Sequence, residues 1–440
     1  MRILTALEAA RAVEQGSATA EQLTRACIER IEQRNGEVRA FVSFDAELAL
    51  REARRADRLA PGPHLRGVPF AAKDIFDTAD HPTEYGSTVY RGHRPLADAA
   101  CVAGARGQGA VLIGKVASSE FATRTPADTR NPLRLAHTPG GSSSGSAAAV
   151  ADGMVPVALG SQTTGSIIRP AAYCGIVGYK PTFGLLPSAG MKTLSPSQDT
   201  AGVLTRTVAD AAFFVYGLLG AQAVLQTSSA PRVGICESSQ WQFAHESVVA
   251  SLERLAGKLE AAGAHVRRIE LPANLEALVD IQSRLCSYEA RRSLAHEYRV
   301  CRPHLSDRLA RRLDGAADID ADAHLEMLRQ AMKARRDAAS LFDDVDVLLY
   351  PSADGEAEHG LDDSGSPRFG ALWTLLHLPT VGFPIALGRS GLPIGAQVIG
   401  AYGDDLRTLA AARFVADLAA GEAAANSSDR TRTAAQVLDA

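Results

Sequence analysis

The chain has 440 residues, 46% apolar and 22% charged, with a net charge of −4 and a pI near 6.3. That balance suits a globular body with ample core and argues against the concentrated basic face of a nucleic-acid-binding protein. No run approaches the ~20 apolar residues needed to span a bilayer, and the six cysteines are scattered without a C-x-x-C pair, so a soluble, cytoplasmic protein with free thiols and no membrane partner is expected.

Residues 1–60 read as an N-terminal helical region. Thr19 and Gln22 fit a capping box, after which Leu23, Cys27 and Ile31 recur near helical spacing until Asn35-Gly36 stops the pattern. Residues 61–420 read as one α/β catalytic domain. Short apolar runs, Val111-Leu112-Ile113 and Val155-Pro156-Val157-Ala158-Leu159, alternate with small-residue helices such as 146–151, which predicts a sheet that is at least partly parallel. A second alternating unit follows, with strands at 233–236 and 265–269 around a helix at 245–262. Residues 275–340 are charged and helical and are expected to form a cap over or beside the sheet. Strand character returns at 345–350 and 394–399, and residues 421–440, polar and alanine-rich, are expected to be a frayed tail.

Three segments carry chemistry. Lys73 ends the apolar run Gly67-Val68-Pro69-Phe70-Ala71-Ala72-Lys73-Asp74. Ser142 lies in Gly140-Gly141-Ser142-Ser143-Ser144-Gly145, and Ser166, 24 residues further on, lies in Gln162-Thr163-Thr164-Gly165-Ser166-Ile167-Ile168-Arg169-Pro170. A serine hydroxyl needs a base to attack an amide, and a lysine can supply one if burial disfavours its ammonium. Glycine permits the backbone dihedrals that expose N–H groups to an oxyanion, so Thr163, Thr164, Gly165 and Ser166 are candidate backbone donors.

Together these segments strongly resemble the amidase signature family. Gly114-Lys115, Glu120-Phe121, Asn131-Pro132, Gly178-Tyr179-Lys180-Pro181-Thr182 and Gly391-Leu392-Pro393-Ile394-Gly395 extend the likeness over most of the chain. The resemblance implies an α/β fold with a mixed, largely parallel central sheet flanked by helices on both faces. It also implies a Ser-Ser-Lys triad in which Lys73 takes a proton from Ser142, Ser142 takes one from Ser166, and Ser166 forms the acyl-enzyme. No cofactor or metal is implied, and the histidines show no metal-binding spacing.

Two departures bear on substrate. The family commonly has Asp-Thr-Gly-Gly-Ser where this chain has Gln162-Thr163-Thr164-Gly165-Ser166, and Arg169 stands three residues after the serine rather than two. The run is similar to the malonamidase branch, which acts on small amides carrying a carboxylate. That likeness makes Arg169 and Gln162 substrate-binding candidates, against a structural reading in which Arg169 pairs with an acid such as Asp74. The segment 373–379 resembles the same branch and is a candidate pocket wall, against the core reading that its tryptophan and leucines invite.

Two accidental matches are set aside. Gly141-Ser142-Ser143-Ser144-Gly145 has the form of a hydrolase elbow around Ser143 but lacks a strand before it. Gly109 to Lys115 approaches a phosphate-binding loop but is followed by Val116. The expected activity is hydrolysis of a small carboxamide, malonamate-like, to an acid and ammonia. The partners expected are a small-molecule amide and no nucleic acid, with a homodimer left open. Two alternatives stand beside it, a transamidating amidase subunit that works on misacylated tRNA and a non-catalytic binding protein on the same fold.

Overall fold

Short strands buried at every position build the middle of one sheet with two covered faces. The strands are β1 (Phe41–Phe44), β2 (Pro69–Lys73), β3 (Val111–Val116), β4 (Val157–Gln162), β5 (Val177–Lys180), β6 (Thr200–Thr205), β7 (Arg232–Glu237), β8 (His265–Glu270), β9 (Val347–Pro351), β10 (Thr380–Leu387) and β11 (Pro393–Gly400). The helices are α1 (Ala6–Glu14), α2 (Ala20–Val38), α3 (Ala46–Asp57), α4 (Ala100–Gly107), α5 (Ser144–Ala151), α6 (Ile168–Cys174), α7 (Val208–Leu218), α8 (Glu246–Ala261), α9 (Ala273–Glu276), α10 (Leu278–Ser293), α11 (Ala295–Val300), α12 (Asp307–Asp314), α13 (Ala321–Asp337) and α14 (Arg368–Leu375). Residues 405–420 are also helical. The computed structural model describes residues 4–60, 62, 64–225 and 230–420, so the tail expected at 421–440 lies outside the described residues.

The eleven strands form a single sheet in the order β1-β3-β2-β4-β6-β5-β10-β11-β9-β7-β8. The expected α/β fold with a mixed sheet and helices on both faces is what the chain forms. The expectation that the sheet is largely parallel is corrected. Pairing is parallel only for β2 with β3 and β4 and for β7 with β8 and β9; the other neighbours, including the whole centre from β4 to β9, run antiparallel. The reason is that β6 inserts between β4 and β5, and the β10–β11 hairpin pairs with β5.

The two-residue strand period sorts side chains between the faces. Phe70, Ala72, Leu112, Val157, Leu159 and Val203 pack with residues of α1, α4, α7, α8 and the 405–420 helix. Ala71, Val111, Ile113, Ala158 and Leu204 pack with α2, α3, α5 and α6. Lys73 ends β2 on the parity of Ala71, toward the α5 side. A one-residue slip would turn it to the opposite face and strand every apolar neighbour, each worth roughly 1.5–3 kcal/mol when buried.

The N-terminal helices join this body. The capping box at Thr19 forms, with Thr19 Oγ1 accepting from Gln22 N and Gln22 Oε1 accepting from Thr19 N. Asn35-Gly36 does not stop α2, which runs on to Val38. The Asn35 side-chain amide instead clasps Phe41, donating to its O and accepting from its N, and so seats β1 against β3. Residues 275–340 are helical as expected. They pack through Leu285, Leu278, Met327 and Ala331 on a cluster with Tyr350, Trp373 and Leu376.

Helix α5 approaches the β1–β3 edge without a side chain in the way. Gly145 N donates to Ala117 O at 3.0 Å, and a methyl on Gly145 would overlap the backbone of Ala117 and Ala40. Gly257 in α8 faces open space. Gly145→Ala is therefore expected to cost about 2–3 kcal/mol in urea unfolding, while Gly257→Ala should stabilise by about 0.5–1 kcal/mol. Equal effects of the two would contradict the packing described.

Candidate active site

The C-terminal ends of β2 and β4 and the loops that follow bring the candidate residues together. Lys73, fully buried, donates from Nζ to Ser142 Oγ at 2.8 Å and to Ser161 Oγ at 2.9 Å. No carboxylate lies within ion-pair reach of it among the described residues. Burial pushes its pKa down to about 7, and the more distant charge of Asp199 opposes the shift. Lys73 is thus balanced between neutral and charged forms near neutral pH.

The Ser142 loop is locked by backbone contacts. Ser142 O accepts from Ser119 N at 3.1 Å, and Ser143 N donates to Ser166 O at 3.3 Å, which ties the two serine loops to each other. Among the described residues no hydrogen bond joins the Ser142 and Ser166 hydroxyls. Ser143 is excluded as a nucleophile by its own bonds: its Oγ donates to Ser161 O and accepts from Ser161 N, fully buried.

The segment from Thr163 to Ser166 has its carbonyls held from outside. Thr163 O accepts from Gln282 Nε2 of α10 at 3.3 Å, Thr164 O accepts from Thr374 Oγ1 of α14 at 3.0 Å, and Gly165 O accepts from Arg169 N at 3.0 Å. In a trans peptide the N–H points opposite to the C=O. The N–H groups of Thr164, Gly165 and Ser166 are thereby turned the other way, and among the described residues they donate to nothing. Such free N–H groups can receive the charge of a tetrahedral oxyanion. Thr163 is fixed by its side chain, whose Oγ1 donates to Asp199 at 2.6 Å.

The expectation that Gln162 touches substrate is corrected. Both ends of its buried amide are used inside the fold: Oε1 accepts from Ile167 N at 2.9 Å and Ile168 N at 3.1 Å, and Nε2 donates to Thr374 Oγ1. Gln162 shapes the turn that carries Ser166. The segment 373–379 also stays out of the cavity, with Trp373 in the core beside Tyr350.

Arg169 is different. Its Nε donates to Ser364 O and its Nη2 to Gly141 O, both at 2.6 Å, while Nη1 is buried without a partner. Burial lowers its pKa to about 10, so it stays charged at neutral pH. Asp74, the acid considered as its partner, pairs with Lys115 at 3.4 Å instead. Arg169 and Ser166 line one cavity of about 660 Å³ with Thr163 and Thr164, walled by α10, α12 and the start of α14.

Sequence reading missed Ser161, Asp199 and Gln282, and it marked Thr374 only as part of the candidate wall 373–379, whereas the threonine grips the Thr164 carbonyl. Ser161 left a faint signal, a lone hydroxyl at the end of an otherwise apolar strand. Asp199 and Gln282 reach the site from distant segments, and only the fold reveals them. His137, which stands just before the Gly140 loop, pairs with His359 outside the cavity. The near phosphate-loop match is strand β3, and its lysine, Lys115, is buried against Asp74, Phe76 O and Thr83.

The site thus joins a buried lysine on the Ser142 and Ser161 hydroxyls to a second serine loop whose N–H groups are free. Residues 22–409 match the Amidase family, and the chain belongs to it. The glutamyl-tRNA(Gln) amidotransferase A-subunit of Coxiella burnetii is 33% identical over 88% of this chain and 92% of its own. Among solved structures, an amidase is 30% identical with a TM-score of 0.86, covering 94% of this chain and 99% of that one. The glutamyl-tRNA(Gln) amidotransferase A-subunit from Thermotoga maritima is 27% identical with a TM-score of 0.77, covering 93% of each. The curated relatives' names correspond to the transamidating alternative and do not single out the malonamidase branch. Because those names include tRNA, the expectation of no nucleic-acid partner, drawn from net charge, loses its support. No helix among the described residues is long and apolar enough to cross a membrane.

The Lys73 environment sets a pH dependence. A base works when deprotonated, so kcat/KM should rise with pH through about 7 and level off above it. Asp199→Asn removes the charge that favours the ammonium and should move the inflection to lower pH. A flat profile between about pH 6 and 9, or an inflection unmoved in Asp199→Asn, would contradict this electrostatic account.

Proposed function

We propose that the protein is an amidase that hydrolyses a small amide carrying a carboxylate, releasing an acid and ammonia. Neutral Lys73 takes the proton of Ser142, Ser142 takes that of Ser166, and Ser166 Oγ attacks the carbonyl carbon. The oxyanion is received by the N–H groups of the Thr163–Ser166 segment. When the carbon–nitrogen bond breaks, the proton returns through Ser142 to the departing amine. Water then attacks the acyl-enzyme, its proton follows the same route, and the acid leaves. The relay requires the Ser166 hydroxyl to turn toward Ser142 when substrate binds, a small rotation about one bond.

The observation that carries the substrate class is Arg169. Its Nη1 stands beside Gly165, buried and without a partner, and no carboxylate among the described residues neutralises the guanidinium. A buried unpaired charge is costly, and a substrate carboxylate offsets that cost. A cytosolic setting belongs to the same proposal, in keeping with cysteines that are all free.

A second reading is favoured by the relatives' names: the same first half-reaction, with the nitrogen passed to glutamyl-tRNA through partner subunits. Ammonia release by the isolated chain from a panel of small amides separates the two. Turnover without partners supports the hydrolase, whereas turnover only with added amidotransferase subunits and glutamyl-tRNA supports the second reading.

Arg169→Ala should lower kcat/KM for an acid amide relative to a neutral amide of similar size by roughly ten- to a hundredfold, the value of about 1.5–3 kcal/mol for one charged hydrogen bond. Arg169→Lys should recover little, because lysine lacks the planar fork. Equal loss on both amides, with the fold intact, would make Arg169 a structural residue and remove the carboxylate from the reading.

A further inference from the structure

The cavity is larger and more cationic than a three-carbon acid amide requires. Its volume of about 660 Å³ holds roughly twenty waters, and malonamate would fill only a small part. Five arginines line it: Arg124, Arg169, Arg308, Arg312 and Arg368. Arg124 and Arg308 share Asp363, at 3.1 and 3.2 Å, and Arg368 pairs with Asp354 at 3.4 Å while lying over the Phe243 ring. Among the described residues, Arg169 and Arg312 have no carboxylate partner. The one acid in the lining itself, Asp280, is exposed at the rim.

Arg312 is held in place by neutral groups. From α12 its Nε donates to Ser287 Oγ at 3.3 Å and its Nη2 to Cys286 Sγ at 2.9 Å. Both partners are on α10, and burial keeps the Cys286 thiol protonated. The same helix contributes Gln282, which grips Thr163 O. Cys286 lies four residues beyond Gln282, one helical turn or about 6 Å along the axis. A guanidinium thus stands about one turn from the segment that presents Ser166, oriented and uncompensated, in the wall of the cavity that also contains Arg169.

We propose that Arg312, with the Ser287 hydroxyl, forms a second anion subsite in this cavity, and that the substrate class is an amide bearing two anionic groups, one held by Arg169 and the other by Arg312. The proposal rests on the reading of Arg169 as a carboxylate anchor and extends it. Two separated guanidiniums select for length as well as charge, because a short monoanion reaches only one of them. They also concentrate dianions at the cavity through the local field, an effect that salt weakens.

The test is calorimetric binding to Ser166→Ala protein, which holds ligand without turning it over. The probes are malonamate and 2-carbamoylglutarate, which is malonamate with a carboxyethyl arm on its central carbon and so keeps the primary amide while adding a second carboxylate. The dianion should bind roughly ten- to a hundredfold tighter than malonamate at low salt. Adding Arg312→Ala should bring that ratio to about one. Arg312→Gln, whose amide nitrogen takes the place of Nε and can keep the bond to Ser287, should do the same, so a folding defect in the alanine variant would not decide the result. A ratio that ignores both variants while malonamate binding still depends on Arg169 overturns the second subsite and leaves the first reading intact. Binding of the dianion that depends on Arg312 but not on Arg169 supports the subsite and overturns the anchor reading. Binding of neither probe overturns both.

Discussion

A lysine amino group buried without a counter-ion is the constraint around which the site is built. The fold buries three lysines completely, and their surroundings differ in kind. Lys115 meets Asp74 and remains one half of an ion pair. Lys180 is also pushed down to about 7, but the bond it makes is to the Pro181 carbonyl, which has no proton to give. Lys73 meets two serine hydroxyls, and one of them belongs to the loop tied to Ser166. Burial pushes all three downward, and Lys115 also faces a hydroxyl, that of Thr83, but it keeps a carboxylate beside it; Lys73 alone of the three faces hydroxyls with no carboxylate in ion-pair reach.

The rest of the architecture keeps that environment dry and its neighbours in place. Parallel strands β3 and β4 enclose β2, so Lys73 sits at the end of a strand with no free edge. The segment leading to Ser166 is held by contacts from three directions: Asp199 on the Thr163 side chain, Gln282 on its carbonyl, and Thr374 on the carbonyl of Thr164. Gln162 closes the turn beneath it. The helices of 275–340 therefore do more than cover the sheet. Helix α10 supplies both the Gln282 contact and the anchorage of Arg312, which links the Thr163–Ser166 segment to the cavity wall.

Much of this was legible in the chain. Lys73, Ser142 and Ser166 stand out in the sequence through local patterns, an apolar run before the lysine and glycines around the serines, and the fold brings their segments together. Arg169 was legible as a candidate, and the choice between carboxylate anchor and structural ion pair became tractable once Asp74 was found on Lys115. Gln162 was misread because a conspicuous position near a nucleophile does not tell whether a side chain faces the ligand or its own loop. Strand direction was hidden for a related reason. Buried parallel and antiparallel strands show the same apolar runs, and the insertion of β6 between β4 and β5 is a property of the whole sheet. Asn35 looked like a helix stop because asparagine commonly competes with helical backbone bonds; here its amide is occupied across the turn by Phe41.

The ionisation of Lys73 is the central claim, and the composition makes it measurable directly. The sequence contains only six lysines, so selective carbon-13 labelling at the lysine ε position gives a spectrum simple enough to follow through a pH titration by NMR. The signal that disappears in Lys73→Ala is predicted to titrate with a midpoint of about 7. A midpoint in the ordinary lysine range, near about 10, would show that Lys73 is an ammonium under working conditions and would contradict its role as the base.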